Sequence, residues 1–198
     1  MFKETIIDRI NKSIEMKKDI LRDNNLVKKI DLTSQTIIKA YKSNRKVILF
    51  GNGGSAADAQ HLAAELVNKF YFDRKSLPAI ALTVNTSILT AIGNDYSFDQ
   101  IFSKQLEGIG AEGDIAIGIS TSGNSKNVIE GLKFAKEKKL YTIGFTGKNG
   151  GKLNNIVDIC INVPSDDTPR IQEVHIMIGH IICEIVEKEL FKKSEKKI

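Results

Sequence analysis

Lys46-Val47-Ile48-Leu49-Phe50-Gly51-Asn52-Gly53-Gly54-Ser55-Ala56 is the stretch that decides the fold. A short apolar run without polar alternation fits a strand buried on both faces. The glycines end it, and helical sequence follows over residues 56–70. The same sort of run recurs at residues 78–82, 115–119, 140–145 and 156–163, with helical segments at 87–92, 99–106 and 126–138 and a last helix over about 169–191. Apolar strands alternating with helices predict an α/β protein, a three-layer α/β/α sandwich around a five-stranded parallel sheet. In such sheets ligands bind beyond the carboxyl ends of the strands. The loops of interest therefore follow Phe50, Leu82, Ile119 and Phe145.

Upstream, Ile7, Ile10, Ile14 and Leu21 recur at helical spacing, and so do Val27, Ile30, Ile37 and Tyr41, with Asn24-Asn25 as the break. The expectation is one domain over residues 1–198: a helical hairpin (1–44), the α/β core (45–191) and a basic tail (192–198). Alternating charges make the hairpin a packing or oligomerisation element. The net charge of +5 lies partly in the tail, and no basic stripe with interleaved aromatics accompanies it, so nucleic acid is not an expected partner. No apolar run has a membrane helix's length, and the N-terminus lacks a signal peptide's apolar core, so a cytoplasmic protein is expected. Cys160 and Cys183 sit in apolar stretches and read as buried free thiols.

Gly51-Asn52-Gly53-Gly54-Ser55-Ala56 matches a dinucleotide fingerprint, but the acid that should end the second strand is missing: Thr83-Val84-Asn85 stands there, and Asp73 precedes the strand. What remains is a close backbone approach to a ligand, with Asn52 and Ser55 supplying polar groups, or else a plain tight turn from strand to helix. Ser120-Thr121-Ser122-Gly123-Asn124-Ser125 leads into a helix. Its four hydroxyls, with the unpaired amides and dipole of the helix end, suit one phosphate. A plain N-cap accounts for Ser125 but not for the others. Without a Gly-Lys-Ser/Thr signature this is no nucleotide P-loop, and a sugar phosphate is the natural ligand. His61 and Glu65, at i and i+4, share a helix face. Gln172 and His180 lie two turns apart, roughly 80° from one another, while His175 is roughly 140° from His180 and is assigned to packing or a structural hydrogen bond.

GNGGSA and ISTSGNS together resemble the sugar isomerase (SIS) domain family, a flavodoxin-like fold. DAQHLAAEL, AIGNDYSFDQIF, EGDIAIGISTSGNS, TGKNGGKL and RIQEVHIMIGH make the chain similar to the phosphoheptose isomerases of that family over nearly its whole length. The resemblance implies isomerisation of sedoheptulose 7-phosphate to D-glycero-D-manno-heptose 7-phosphate through an enediol, the first step toward nucleotide-activated heptose, in a homotetramer. It implies Zn2+ on His61, Glu65, Gln172 and His180, with Glu65 as base and His180 as acid. Either Glu65 alternates between base and ligand or the metal mainly organises the site; the sequence leaves both open. It further implies substrate contacts from Asn52, Gly53, Gly54, Ser55, Glu65, Asn94, Asp95, Ser120, Thr121, Ser122, Ser125 and Gln172. Pro169 offers no side-chain donor, so no contact transfers to that position in residues 163–170. The alternative is a non-catalytic SIS protein that binds sugar phosphates or assists replication initiation through protein contact. One such relative keeps the serine loop but lacks the Glu and second His, and this chain has both.

Overall fold

The computed structural model describes residues 1–191, and the basic tail at 192–198 lies outside them. Five parallel strands form one sheet: β1 (Val47–Gly51), β2 (Ala79–Ala81), β3 (Ile115–Ile119), β4 (Tyr141–Thr146) and β5 (Ile159–Asn162), in the order β2-β1-β3-β4-β5. β1 and β3 are buried at every residue, which explains their unbroken apolar sequence. Alternate side chains enter opposite cores. Val47 and Leu49 join Ile115, Ile117 and Phe145 on one face, whereas Ile48 and Phe50 join Phe102, Val128 and Leu132 on the other. Each such side chain contributes about 1.5–3 kcal/mol on burial.

Helices cover both faces. α1 (Lys3–Arg22), α2 (Asn24–Lys42), α3 (Gly54–Val67) and α7 (Thr168–Phe191) supply the first core, and α5 (Ser103–Ile109) and α6 (Lys126–Glu137) the second; α4 (Thr86–Asp95) buries none of its residues. The predicted helix at 99–106 is two pieces, a 3-10 turn at Phe98–Gln100 and then α5. The break before α2 falls at Asp23, not Asn24-Asn25. Its carboxylate accepts the amides of Asn25 and Leu26 and so caps α2. The apolar stripe of α1 is not covered by this chain: Ile7, Ile10, Ile14 and Leu21 are exposed, and Ile20 is the residue α1 buries. Among the described residues no helix is long and apolar enough to cross a membrane.

α3 and α7 cross closely. A Cβ built on Gly179 would stand 2.7 Å from Leu62 Cδ1, and Leu62 is itself buried. Gly179→Ala should lower stability by about 1–3 kcal/mol in a urea melt through overpacking. His175 is fully buried and engages the carbonyl oxygen of Thr146 at 3.1 Å. A carbonyl only accepts, so Nε2–H is the donor and Nδ1 is left bare, without a partner. Burial pushes this imidazole from its ordinary 6.5 down to about 4, against the raising effect of the Thr146 bond. The unfolded chain takes up this proton at 6.5 and the folded chain only near 4, so stability falls as pH drops between those values. Thermal melts across that window should show the loss, and His175→Gln should flatten it.

Candidate active site

The register of β1, β3 and β4 pairs Gly51 with Ile119 and Ile119 with Phe145, so the loops that follow begin level with one another. The chain runs from β1 outward to β2 and then back across β1 to β3. That reversal opens a crevice at the carboxyl ends of β1 and β3. The loops on its two sides are tied together. Asn52, just past β1, and Asn127, in the first turn of α6, exchange amide hydrogen bonds at 2.8 and 2.9 Å. Asn52 thus spends its side chain on Asn127, a buried residue the sequence reading missed because nothing distinguishes it from an ordinary helix-start asparagine.

The serine loop is held from several sides. Ser120 N–H donates to Phe145 O at 2.9 Å, Gly147 N–H to Thr121 O at 2.8 Å, and Lys152 N–H to the Asn124 side chain at 3.1 Å. Ser125 occupies the N-cap position of α6, yet its hydroxyl caps nothing and meets Ser120 Oγ at 2.9 Å. Ser122 Oγ stands 3.5 Å from Ser120 Oγ and accepts Asn124 N–H. Three of the four predicted hydroxyls therefore converge. Thr121 and Ser122 also line a cavity of about 300 Å3 shared with Lys148, Ser165 and Thr168. Residues 163–170 thus border the serine loop through Ser165 and Thr168.

A second cluster lies between α3 and α7. His61 Nε2 is 3.1 Å from Glu65 Oε1 and 2.9 Å from His180 Nε2. The His61 side chain is half exposed and that of Glu65 about a quarter, so the cluster opens to solvent. The Phe70 ring lies tilted against that of His180, 5.8 Å between centroids. Gln172 lies on the glycine loop: a Cβ on Gly54 would come within 2.9 Å of its Cδ. Gly54 thus makes room for the Gln172 amide. Gly53 is exposed beside it, and Ser55 is buried.

The donor set suits a borderline divalent ion. The ligand atoms of His61, Glu65 and His180 lie within 4.8 Å of one another, all nitrogen or oxygen. Adjacent nitrogens on tetrahedral zinc stand roughly 3.3 Å apart, given bonds of about 2.0–2.1 Å. The observed 2.9 Å is close to that.

Asn94 and Asp95 are not brought to either cluster. They end α4, exposed, with the Asn94 amide on the Asp95 carboxylate at 2.9 Å. Two further acids went unread. Asp58, one turn before His61, has a buried carboxylate oxygen without a partner, and burial pushes its pKa up to about 6 against the lowering effect of His61. Glu187 is buried on α7 and, with His180 and Cys183, forms a stripe at i, i+3 and i+7, a periodicity legible in the sequence. Cys160 and Cys183 are buried and free; burial first, then Glu65, pushes the Cys183 thiol up to about 12.

Residues 4–147 match the SIS domain family. The phosphoheptose isomerase of Clostridium acetobutylicum is 59% identical over 189 residues, 96% of each chain. Among solved structures, the phosphoheptose isomerase of Neisseria gonorrhoeae is 41% identical with a TM-score of 0.89, over 95% of this chain and 100% of that one. That of Francisella tularensis is 37% identical with a TM-score of 0.91, over 95% and 99%. The chain belongs to the SIS-domain family and, within it, to the phosphoheptose isomerases, which are aldose–ketose isomerases.

Proposed function

We propose that this protein interconverts sedoheptulose 7-phosphate and D-glycero-D-manno-heptose 7-phosphate in the cytoplasm, with the site residues named from the sequence. The observation that carries the reading is the meeting of His61, Glu65 and His180 from two helices. The reaction moves a proton between C1 and C2 through an enediol and needs a base at carbon and an acid at oxygen. Glu65 takes the carbon-bound proton. His180 serves the oxygens as the acid. Ser120, Thr121, Ser122 and Ser125 hold the phosphate at the start of α6, where unpaired amides and the helix dipole favour an anion. Gln172, beside Gly54, orients the sugar against the glycine loop.

Zn2+ is the metal that His61, Glu65, His180 and Gln172 would hold. When bound, it polarises the substrate carbonyl and offsets developing negative charge.

A homo-oligomer, a tetramer in this reading, completes the site. Asn94 and Asp95 end a helix that only partly buries Leu89 and Ile92 in its own chain, next to the exposed Val84, Ile88, Tyr96 and Phe98. Covering that face with a second copy would carry both residues to a neighbour's sugar. The uncovered stripe of α1 has the same character. No nucleic acid or membrane has a part in it, and residues 1–198 act as one domain.

Purified protein should turn over sedoheptulose 7-phosphate and leave fructose 6-phosphate nearly untouched; the reverse preference would sink the substrate assignment. Glu65→Gln and His180→Gln should each lower kcat by about 10²–10⁴-fold with substrate binding largely kept, as for loss of a general acid or base. Full activity in either removes the role given to that residue. Protein prepared without chelator should carry zinc near one per chain by elemental analysis, and consistent absence counts against the ligand set.

A further inference from the structure

Where α3 ends, a buried ion pair joins it to α7. Arg74 Nε stands 2.7 Å from Glu187 Oε1, with the two side chains 2% and 1% exposed. The Glu187 carboxylate accepts the backbone N–H groups of Phe70, Tyr71 and Phe72 at 2.8, 2.6 and 3.2 Å. The guanidinium donates to the carbonyl oxygens of Glu65 at 3.0 Å, Leu66 at 3.0 Å and Asn68 at 2.6 Å. These carbonyls belong to the end of α3, where helical partners run out. Phe191 covers the guanidinium, its ring centroid 5.3 Å away. Burial works to raise the Glu187 pKa, but the three amides and Arg74 outweigh it and hold the carboxyl below the usual range.

We propose that Arg74 and Glu187 are positioning residues, which fix the last turn of α3 and with it the Glu65 side chain against His180. The inference rests on the role given to Glu65 above. Stability alone is a weak reason for such a pair, since apolar residues of similar volume usually serve a buried site as well. Apolar side chains cannot, however, bind the carbonyls of Glu65, Leu66 and Asn68 from one planar group, nor gather three successive amides. The pair also sets the register between helices. His180 and Glu187 lie two turns apart on α7, so the residue that anchors the end of α3 is on the same stripe as the one that faces Glu65.

Arg74→Lys keeps the charge but loses the fork, and Glu187→Gln keeps the shape but loses the charge. In whichever variant is folded by circular dichroism, kcat for sedoheptulose 7-phosphate should fall about 10- to 100-fold, with KM within about threefold of wild type. Zinc titrated alone against a chromophoric chelator should bind about tenfold more weakly. Amide hydrogen exchange should quicken at residues 65–68 and stay unchanged in the central strands. Wild-type kcat and zinc affinity in a folded variant, or unchanged exchange at residues 65–68, overturns the proposal. A wild-type protein that neither turns over the sugar phosphate nor binds zinc defeats the functional reading instead, and the exchange measurement then decides the positioning claim by itself.

Discussion

The seating of α7 on α3 is the contact on which the remainder of the site depends. It needs Gly179 beneath Leu62 and Gly54 beneath the Gln172 amide, two places where a side chain would push the helices apart. At that separation His180 reaches His61 and Glu65, and Glu187 reaches the end of α3. Close packing turns this apolar seam into a ruler for polar groups. A core packed to crystal density resists small displacements, so the imidazoles and carboxylate keep their spacing without direct bonds to the sheet.

The opposite end of the site is built from backbone. The serine loop is fastened to the end of β4 and the loop after it by main-chain bonds, and the reciprocal amides of Asn52 and Asn127 tie the loops after β1 and β3. Such ties leave the Ser120, Ser122 and Ser125 hydroxyls to face one another. One end is thus held by hydrogen bonds, which fits the phosphate-holding role proposed for it. The other is set by helix packing, which fits the proposed proton transfer, where small displacements matter most.

Buried polar groups mark where these two systems meet the core. His175 stays neutral because its environment excludes charge, and it binds Thr146 at the end of β4. Glu187 stays charged in an equally buried place because three amides and a guanidinium surround it. Burial is common to both, and the donors at hand decide the outcome.

Much of this was legible in the chain. Unbroken apolar runs dictated buried parallel strands, because a strand covered on both faces has no solvent side to alternate with. The i, i+4 spacing put His61 and Glu65 on one face, since the helix itself fixes that geometry. Four hydroxyls before a helix pointed to the loop where Ser120, Ser122 and Ser125 converge, and the angle between His175 and His180 set His175 apart for the structural bond it makes to Thr146. Local rules could not reach contacts between distant segments. The Asn52–Asn127 exchange, the grip of Arg74 on α3 and the border that residues 163–170 give the serine loop all join segments far apart in sequence. Nor could periodicity tell which apolar faces this chain covers. The stripe of α1 has the spacing of a buried face and stays exposed, because spacing records that a surface is apolar and only the packed fold determines what lies against it.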